Sequence, residues 1–329
     1  MAVLVTGGAG YIGSHTVRLF QEKREDVVVA DNLQSGHPES LQGVPLYRVD
    51  IRDGEGLAKV FKRFDIEAVL HFSASSLVGE SVDEPFNYYH NNVYGMLTLL
   101  GAMRKYRVDK MVFSSTAAVY GEPGNIPIQE GDETLPTNPY GETKLAMEKM
   151  MKWFEQAYGI KYVSLRYFNA AGAHESGEMG EDHHPETHLI PLILQVPLGQ
   201  RDRARVFGDD YPTRDGTCIR DYIHVMDLAE AHLGALNYLR QGRESDIFNL
   251  GNGTGYSVAE VMETARQVTG HPLPADVGER RAGDPAVLVA SSTKAGEVLG
   301  WRPRHPALER IILDAWNWHR KNPRGYQGR

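Results

Sequence analysis

The segment Val3–Val17, "VLVTGGAGYIGSHTV", sets a short β-branched run against glycines at positions 7, 10 and 13, followed by residues that suit a helix. A strand that turns through glycines into a helix gathers main-chain N–H groups at the helix N-terminus, where a pyrophosphate can approach closely. A glycine triplet also marks ordinary turns, so Gly7, Gly10 and Gly13 need a second element to be read as a site. The run "DVVVAD" supplies it by ending a second strand at Asp31. A carboxylate about 20 residues beyond the glycines accepts hydrogen bonds from adenosine ribose hydroxyls. It would also repel the 2′-phosphate of NADP, and the following "NLQSGH" has no arginine to receive that phosphate. NAD is the expected cofactor.

Outward from this unit, "EAVLHFSA", "KMVFSS" and "KYVSLRYFNA" repeat the strand pattern, separated by amphipathic stretches of helical length. That alternation predicts an α/β fold of Rossmann type, a doubly wound parallel sheet with helices on its faces. After Asn169 the texture becomes rich in Gly, Pro and His through "GAHESGEMGEDHHPETHLIP" and "VFGDDYPTRDGTCIRDYIH". This reads as a loop-heavy, site-building region. "VMDLAEAHLGALNYL" and "DIFNLG" then return to the earlier pattern. The expected division is an NAD-binding domain of 1–169 plus about 225–250, and a smaller α/β substrate domain of about 170–224 plus 251–329. The apolar spacing of "ALERIILDAWNWHRKNPRGY" predicts a final helix that ends before Pro323.

With 329 residues, 41% of them hydrophobic, and a net charge of -8, the chain has a sizeable core and no basic block. Nucleic acid and anionic membrane surfaces are therefore disfavoured as partners. The single cysteine excludes an intramolecular disulfide. The first strand begins at Ala2 and no apolar run reaches spanning length, so a cytoplasmic location is expected.

In "PYGETKLAMEKM", Pro139–Met150, Tyr140 and Lys144 are four residues apart and share a face if a helix begins there. Alone, such a pair is usually idle. Upstream, "VFSSTAAVYG" puts Ser114, Ser115 and Thr116 at the carboxyl end of a strand, where ligands of open α/β sheets bind. A tyrosine of pKa ~10 needs a drop of roughly 3 units, about 4 kcal/mol, to act as a base near neutrality. One charge at ~4 Å gives about 1 kcal/mol in water and about 4 at an effective dielectric of 20, so the pair works only in a partly dry pocket. Thr116 could hydrogen-bond the reacting oxygen.

Glycine loop, hydroxyl residue and Tyr-x-x-x-Lys pair together resemble the short-chain dehydrogenase/reductase superfamily, and the long C-terminal part resembles its extended branch. Dehydratases of that branch carry an Asp–Glu pair after the threonine; here Ala117 and Ala118 can transfer no proton. "RYFNAAGAH", "GEMGED", "HLIP", "FNLGNGTGYSV" and "RRAGDPA" extend a resemblance to the UDP-glucose 4-epimerase family over essentially the whole chain. The resemblance implies that Tyr140 removes the sugar O4 proton, hydride passes from C4 to tightly held NAD, the 4-keto sugar turns over, and hydride returns to the other face. It places cofactor contacts on Gly7, Gly10, Tyr11, Ile12, Asp31, Asn32, Asp50, Ile51, Phe72, Asn91, Tyr140, Lys144 and Phe168. Nucleotide-sugar contacts fall on Asn169, Leu189, Phe207, Arg220, Arg281 and Asp284, with Thr116 at the sugar. Guanidinium donors suit a pyrophosphate in an acidic protein.

Ser76 and His188 depart from the best-known form of the family, which has lysine and asparagine there. Leu288 stands at a gate where a tyrosine favours UDP-glucose and UDP-galactose and a small residue admits N-acetylated sugars; leucine is intermediate, so the expected reaction is mainly UDP-galactose/UDP-glucose interconversion, with UDP-GlcNAc as a side activity. The resemblance also implies a homodimer through helices starting near Asn91 and Tyr140. The alternatives are another NAD-dependent nucleotide-sugar epimerase or reductase, or a non-catalytic NAD-sensing module. His183, His184 and His188 with Glu181, Asp182 and Glu186 lack a compact zinc spacing, and no metal is expected. Trp301, Trp316 and Trp318 read as an aromatic cluster for domain packing.

Overall fold

The structure is a computed structural model and describes residues 1–281 and 285–328. Its strands run along the chain as β1 (Ala2–Thr6), β2 (Val27–Asp31), β3 (Leu46–Arg48), β4 (Ile66–His71), β5 (Lys110–Thr116), β6 (Lys161–Tyr167), β7 (Asn169–Ala171), β8 (Ala204–Phe207), β9 (Ile219–His224), β10 (Asp246–Leu250), β11 (Gly255–Ser257), β12 (Ala275–Gly278) and β13 (Val287–Leu288). β1–β6 and β10 form one seven-stranded sheet in the order β3-β2-β1-β4-β5-β6-β10, every neighbour parallel. Strands covered on both faces need no polar alternation, and Val3, Leu4 and Val5 are all fully buried.

Helices Tyr11–Glu22 and Val225–Arg240 cover one face, where Val17, Phe20, Leu228, Ala235 and Leu239 pack on Val3, Val5 and Leu165. Helices Gly54–Arg63, Gly95–Tyr106 and Pro139–Tyr158 cover the other through Leu57, Val60, Leu99, Met103, Met147 and Met151. Strand order reverses between β1 and β4, so a crevice opens at their carboxyl ends. The chain leaves this sheet after β6 and returns for β10, which pairs with β6 from Asp246↔Val163 to Leu250↔Tyr167.

β7, β9, β11 and β13 make a second sheet around β9, and β8 pairs with β12. A third core lies beneath them, where Ile190, Ile193, Val261, Met262, Ile311, Ile312 and Trp316 meet. β3, β8, β9, β11, β12 and β13 escape the sequence pattern. β3 has only three residues, and β9 sits inside the stretch read as loop-heavy. β9 is masked by Asp221, a fully buried carboxylate within a strand. That carboxylate accepts the N–H groups of Asn252 (2.8 Å), Gly253 (3.2 Å) and Ala290 (3.2 Å), stitching β9 to two later segments. Burial pushes it up to about 6 against those bonds. Among the described residues, no helix is long and apolar enough to cross a membrane.

Candidate functional site

The turn after β1 is a cradle that side chains would fill. Gly7 has φ +73°, and a Cβ there would stand 2.5 Å from the Ser73 nitrogen; one on Gly13 would stand 2.2 Å from the Gly7 carbonyl oxygen. Gly10 caps the helix Tyr11–Glu22 without a side-chain hydrogen bond, and the first turn carries no acidic residue. The N–H groups at this terminus thus face no built-in acceptor, which suits a pyrophosphate. Asp31 closes the cradle, accepting from the Ala9 N–H at 3.0 Å and the Leu33 N–H at 2.8 Å. Burial raises its pKa, while those two N–H groups pull it down. Each oxygen keeps a lone pair for ribose hydroxyls. Loop, helix terminus and carboxylate together fit a dinucleotide.

Around that cradle Asn32 donates to Asp50 at 3.1 Å, and Arg52 holds the same carboxylate at 2.8 and 2.7 Å. The arginine bonds keep Asp50 well below the usual carboxylate range. Ile51 is buried, and Phe72, just past β4, lies 4.6 Å ring to ring from His232. Ile12 packs on the core beside it. Asn91 lies in a π-helical turn, Tyr89–Tyr94, donating to Ser75 at 3.3 Å. Such turns are rare and recur at functional sites.

Tyr140 and Lys144 stand in the first turns of the helix Pro139–Tyr158, which has Pro at its start and the Asn138 side chain accepting from the Gly141 N–H. Lys144 is 2% exposed, reaches the Ser114 carbonyl at 2.7 Å, and holds its ammonium 5.9 Å from the Tyr140 ring centre. Burial lowers its pKa to about 7, with the Glu148 charge opposing. Burial also raises the Tyr140 phenol, while a hydrogen bond from Thr116 pulls it down. The three groups meet at the carboxyl end of β5.

Sequence reasoning passed over the next residue on this helix face, Glu148, four beyond Lys144. It accepts from Ser115 (2.6 Å) and from two nitrogens of Arg166 (3.0 and 2.6 Å), all of them buried. Arg166 continues to the Tyr120 hydroxyl at 2.9 Å, which donates to Asn249 at 2.7 Å. The i, i+4, i+8 spacing from Tyr140 was the available signal.

On the other side of the crevice, Arg220 of β9 lies in register with Leu288 of β13. Leu288 packs with Phe168 against Val119, Tyr120, Ile128 and Leu145. Asn169 donates to the Asp221 carbonyl at 3.1 Å. Phe207 ends β8 with the Arg281 guanidinium 4.2 Å over its ring, and Leu189 opens the helix Leu189–Leu194. Asp284 lies outside the described residues. Tyr11 turns its hydroxyl to the Gly172 carbonyl at 2.6 Å, joining the glycine loop to the segment after β7.

One expectation changes. The three tryptophans do not cluster: Trp301 joins the core of the large sheet, Trp316 the third core, and Trp318 packs with Ala173 and Tyr326. The His/Glu segment, whose sequence spacing shows no compact zinc pattern, draws several of its side chains together in space. Donor atoms of Glu181, His183, Glu186 and His188 all lie within 4.8 Å of one another. Ser76 is exposed, whereas the His188 Nδ1 meets the Glu181 carboxylate.

Residues 3–251 match the model of the NAD dependent epimerase/dehydratase family. A UDP-glucose 4-epimerase of Halalkalibacterium halodurans is 61% identical over 99% of this chain and 98% of its own length. One from Lacticaseibacillus casei is 53% identical over the full length of both. Among solved structures, a UDP-glucose 4-epimerase superposes with a TM-score of 0.97 at 56% identity, covering 99% of both chains. The enzyme from Bifidobacterium longum in complex with NAD+ and UDP does so at 0.95 and 40%, covering 99% of this chain and 100% of that one. Matching over three quarters of its length and similar to these relatives from end to end, the chain belongs to the NAD dependent epimerase/dehydratase family.

Proposed function

We propose that the protein interconverts UDP-galactose and UDP-glucose through a 4-keto sugar. It is an NAD-dependent isomerase of the UDP-glucose 4-epimerase kind. The observation that carries the residue roles is the convergence of Tyr140, Thr116 and Lys144 at the carboxyl end of β5, beside the glycine cradle. Bound NAD supplies the hydride acceptor and donor for C4. Tyr140 takes the O4 proton and returns it after the keto sugar has turned. Thr116 orients the reacting oxygen, and Lys144 lends the positive charge that makes the phenolate accessible. Burial alone works against both charged forms, so the pair needs the polar environment of a filled crevice to run near neutrality.

Arg220, Arg281 and Phe207 take the nucleotide part of the substrate, and Leu288 borders the sugar. The packing of Leu288 and Phe168 on the cluster that contains Leu145, next to Lys144 in sequence, supports the gate assignment. A leucine there leaves room for slower turnover of UDP-GlcNAc. We place the enzyme in the cytoplasm as a homodimer. Phe86, Tyr89, Tyr94, Leu97 and Trp153 support the dimer, as large apolar side chains exposed on the segments 85–106 and 139–158. Purified protein incubated with UDP-galactose and no added NAD should form UDP-glucose. Failure to do so with NAD supplied would overturn the assignment, and light scattering at monomer mass would reject the dimer.

A further inference from the structure

The segment Glu181–His188 gathers four donor side chains that are not among the hydride-transfer residues Tyr140, Thr116 and Lys144. Glu181 is 3% exposed, and its main-chain carbonyl accepts from the indole N–H of the fully buried Trp318 at 3.0 Å. Next to it, Asp182 accepts the Tyr326 N–H at 2.8 Å, and its carbonyl meets His37 at 2.9 Å. The backbone is therefore pinned from both sides before any side chain turns inward. One Glu181 oxygen then faces the Nδ1 of His183 at 3.2 Å and also contacts the Nδ1 of His188. Glu186 is aimed by its own backbone: one oxygen accepts the N–H groups of Thr187 (2.7 Å) and His188 (2.8 Å). The other faces His183 at 3.8 Å.

Two imidazoles and two carboxylates turned onto one point are a recognisable donor set. A tetrahedral ion with bonds of about 2.0–2.2 Å has its ligands roughly 3.3–3.6 Å apart; the 3.2 and 3.8 Å separations bracket that edge, and the closer Glu181–His188 contact has to open as the ion enters. Imidazole with carboxylate suits zinc and its first-row neighbours over magnesium or calcium. A divalent ion would also cancel the two carboxylate charges. We propose that Glu181, His183, Glu186 and His188 form a structural zinc site. Four protein donors close the tetrahedron, leaving no open position for catalysis.

The site would brace more than its own loop. The His183 ring meets Tyr11 edge-on at 6.1 Å, and Tyr11 opens the helix whose N-terminus faces the cofactor. A zinc here would fasten the 181–188 segment to that helix start.

The test uses untagged protein grown with zinc, freed of loose metal by dialysis, and analysed by mass spectrometry for metal. The expectation is about one zinc per chain, lost in His183→Ala and in Glu186→Gln. On the unsubstituted protein, chelation should lower the melting temperature, zinc but not magnesium should restore it, and cobalt(II) should give the visible bands of a tetrahedral site. Zinc below about 0.1 per chain with no cobalt spectrum and no melting shift would overturn the proposal. Stoichiometric zinc that survives both substitutions would overturn it as well, by placing the metal elsewhere.

Discussion

The Lys144 ammonium donates to the main-chain carbonyl of Ser114 at 2.7 Å, tying the helix that carries Tyr140 to the end of β5. Burial lowers its pKa from 10.5 to about 7 against the pull of Glu148. Between those two values the unfolded lysine keeps a proton that the folded one has shed, so this group's contribution to stability rises with pH; below about 7 the buried charge opposes folding in full. Lys144→Met in protein stripped of NAD should therefore gain stability relative to the parent at about pH 6 compared with about pH 9. Melting curves at both values check this, and an equal difference at both would contradict it.

Tyr140→Phe keeps the ring and removes the proton carrier. Turnover should fall by about 10²–10⁴-fold, with the melting temperature within about 2 °C and NAD still bound. Thr116→Val should lower kcat by less and shift the acidic limb of the rate profile to higher pH, because the hydroxyl lowers the phenol's pKa and the base must be deprotonated to act. An unchanged profile would remove that role from Thr116.

Glu148→Gln strands the Arg166 guanidinium among buried groups. Breaking one partner of such a pair costs about 3–5 kcal/mol, measurable by denaturant unfolding. Lys144 would also lose its opposing charge, moving its pKa further down.

Asp31→Asn should reduce the NAD that co-purifies with the protein and narrow the gap between NAD and NADP in rebinding. The amide retains one acceptor for the Ala9 and Leu33 N–H groups and no longer repels a 2′-phosphate. An unaltered cofactor ratio, measured by fluorescence titration, would count against the ribose assignment.

The parts legible in the sequence are those whose physics is local. Gly7, Gly10 and Gly13 declare a tight turn into a helix, Asp31 ends a β-branched run, and Tyr140 with Lys144 share a helix face by spacing. Apolar runs of fully buried strands revealed the large sheet without register information. β9 stayed hidden because Asp221 is buried by partners from residues 252, 253 and 290, which no window around it contains. Glu148 was concealed for a similar reason: a glutamate on a helix reads as solvated until Arg166, from β6, is seen facing it. The Glu181–His188 donors are close in sequence, yet their convergence depends on Trp318, Tyr326 and His37 holding the backbone. Arg220 and Leu288 became neighbours only through the β9–β13 register.

β10 returns to complete the large sheet after the chain has already built β7, β8 and β9 elsewhere. The thread passes between the two sheets at residues 168, 225 and 251. Recombination that replaces the second sheet and its core must therefore exchange two separate stretches at once, while leaving the helix Val225–Arg240 and β10 in place. A single crossover would set β6 of one parent against β10 of the other, or β9 of one against β13 of the other. Point changes in the second sheet, Leu288 of β13 included, keep both pairings within one parent, which an exchange of segments does not.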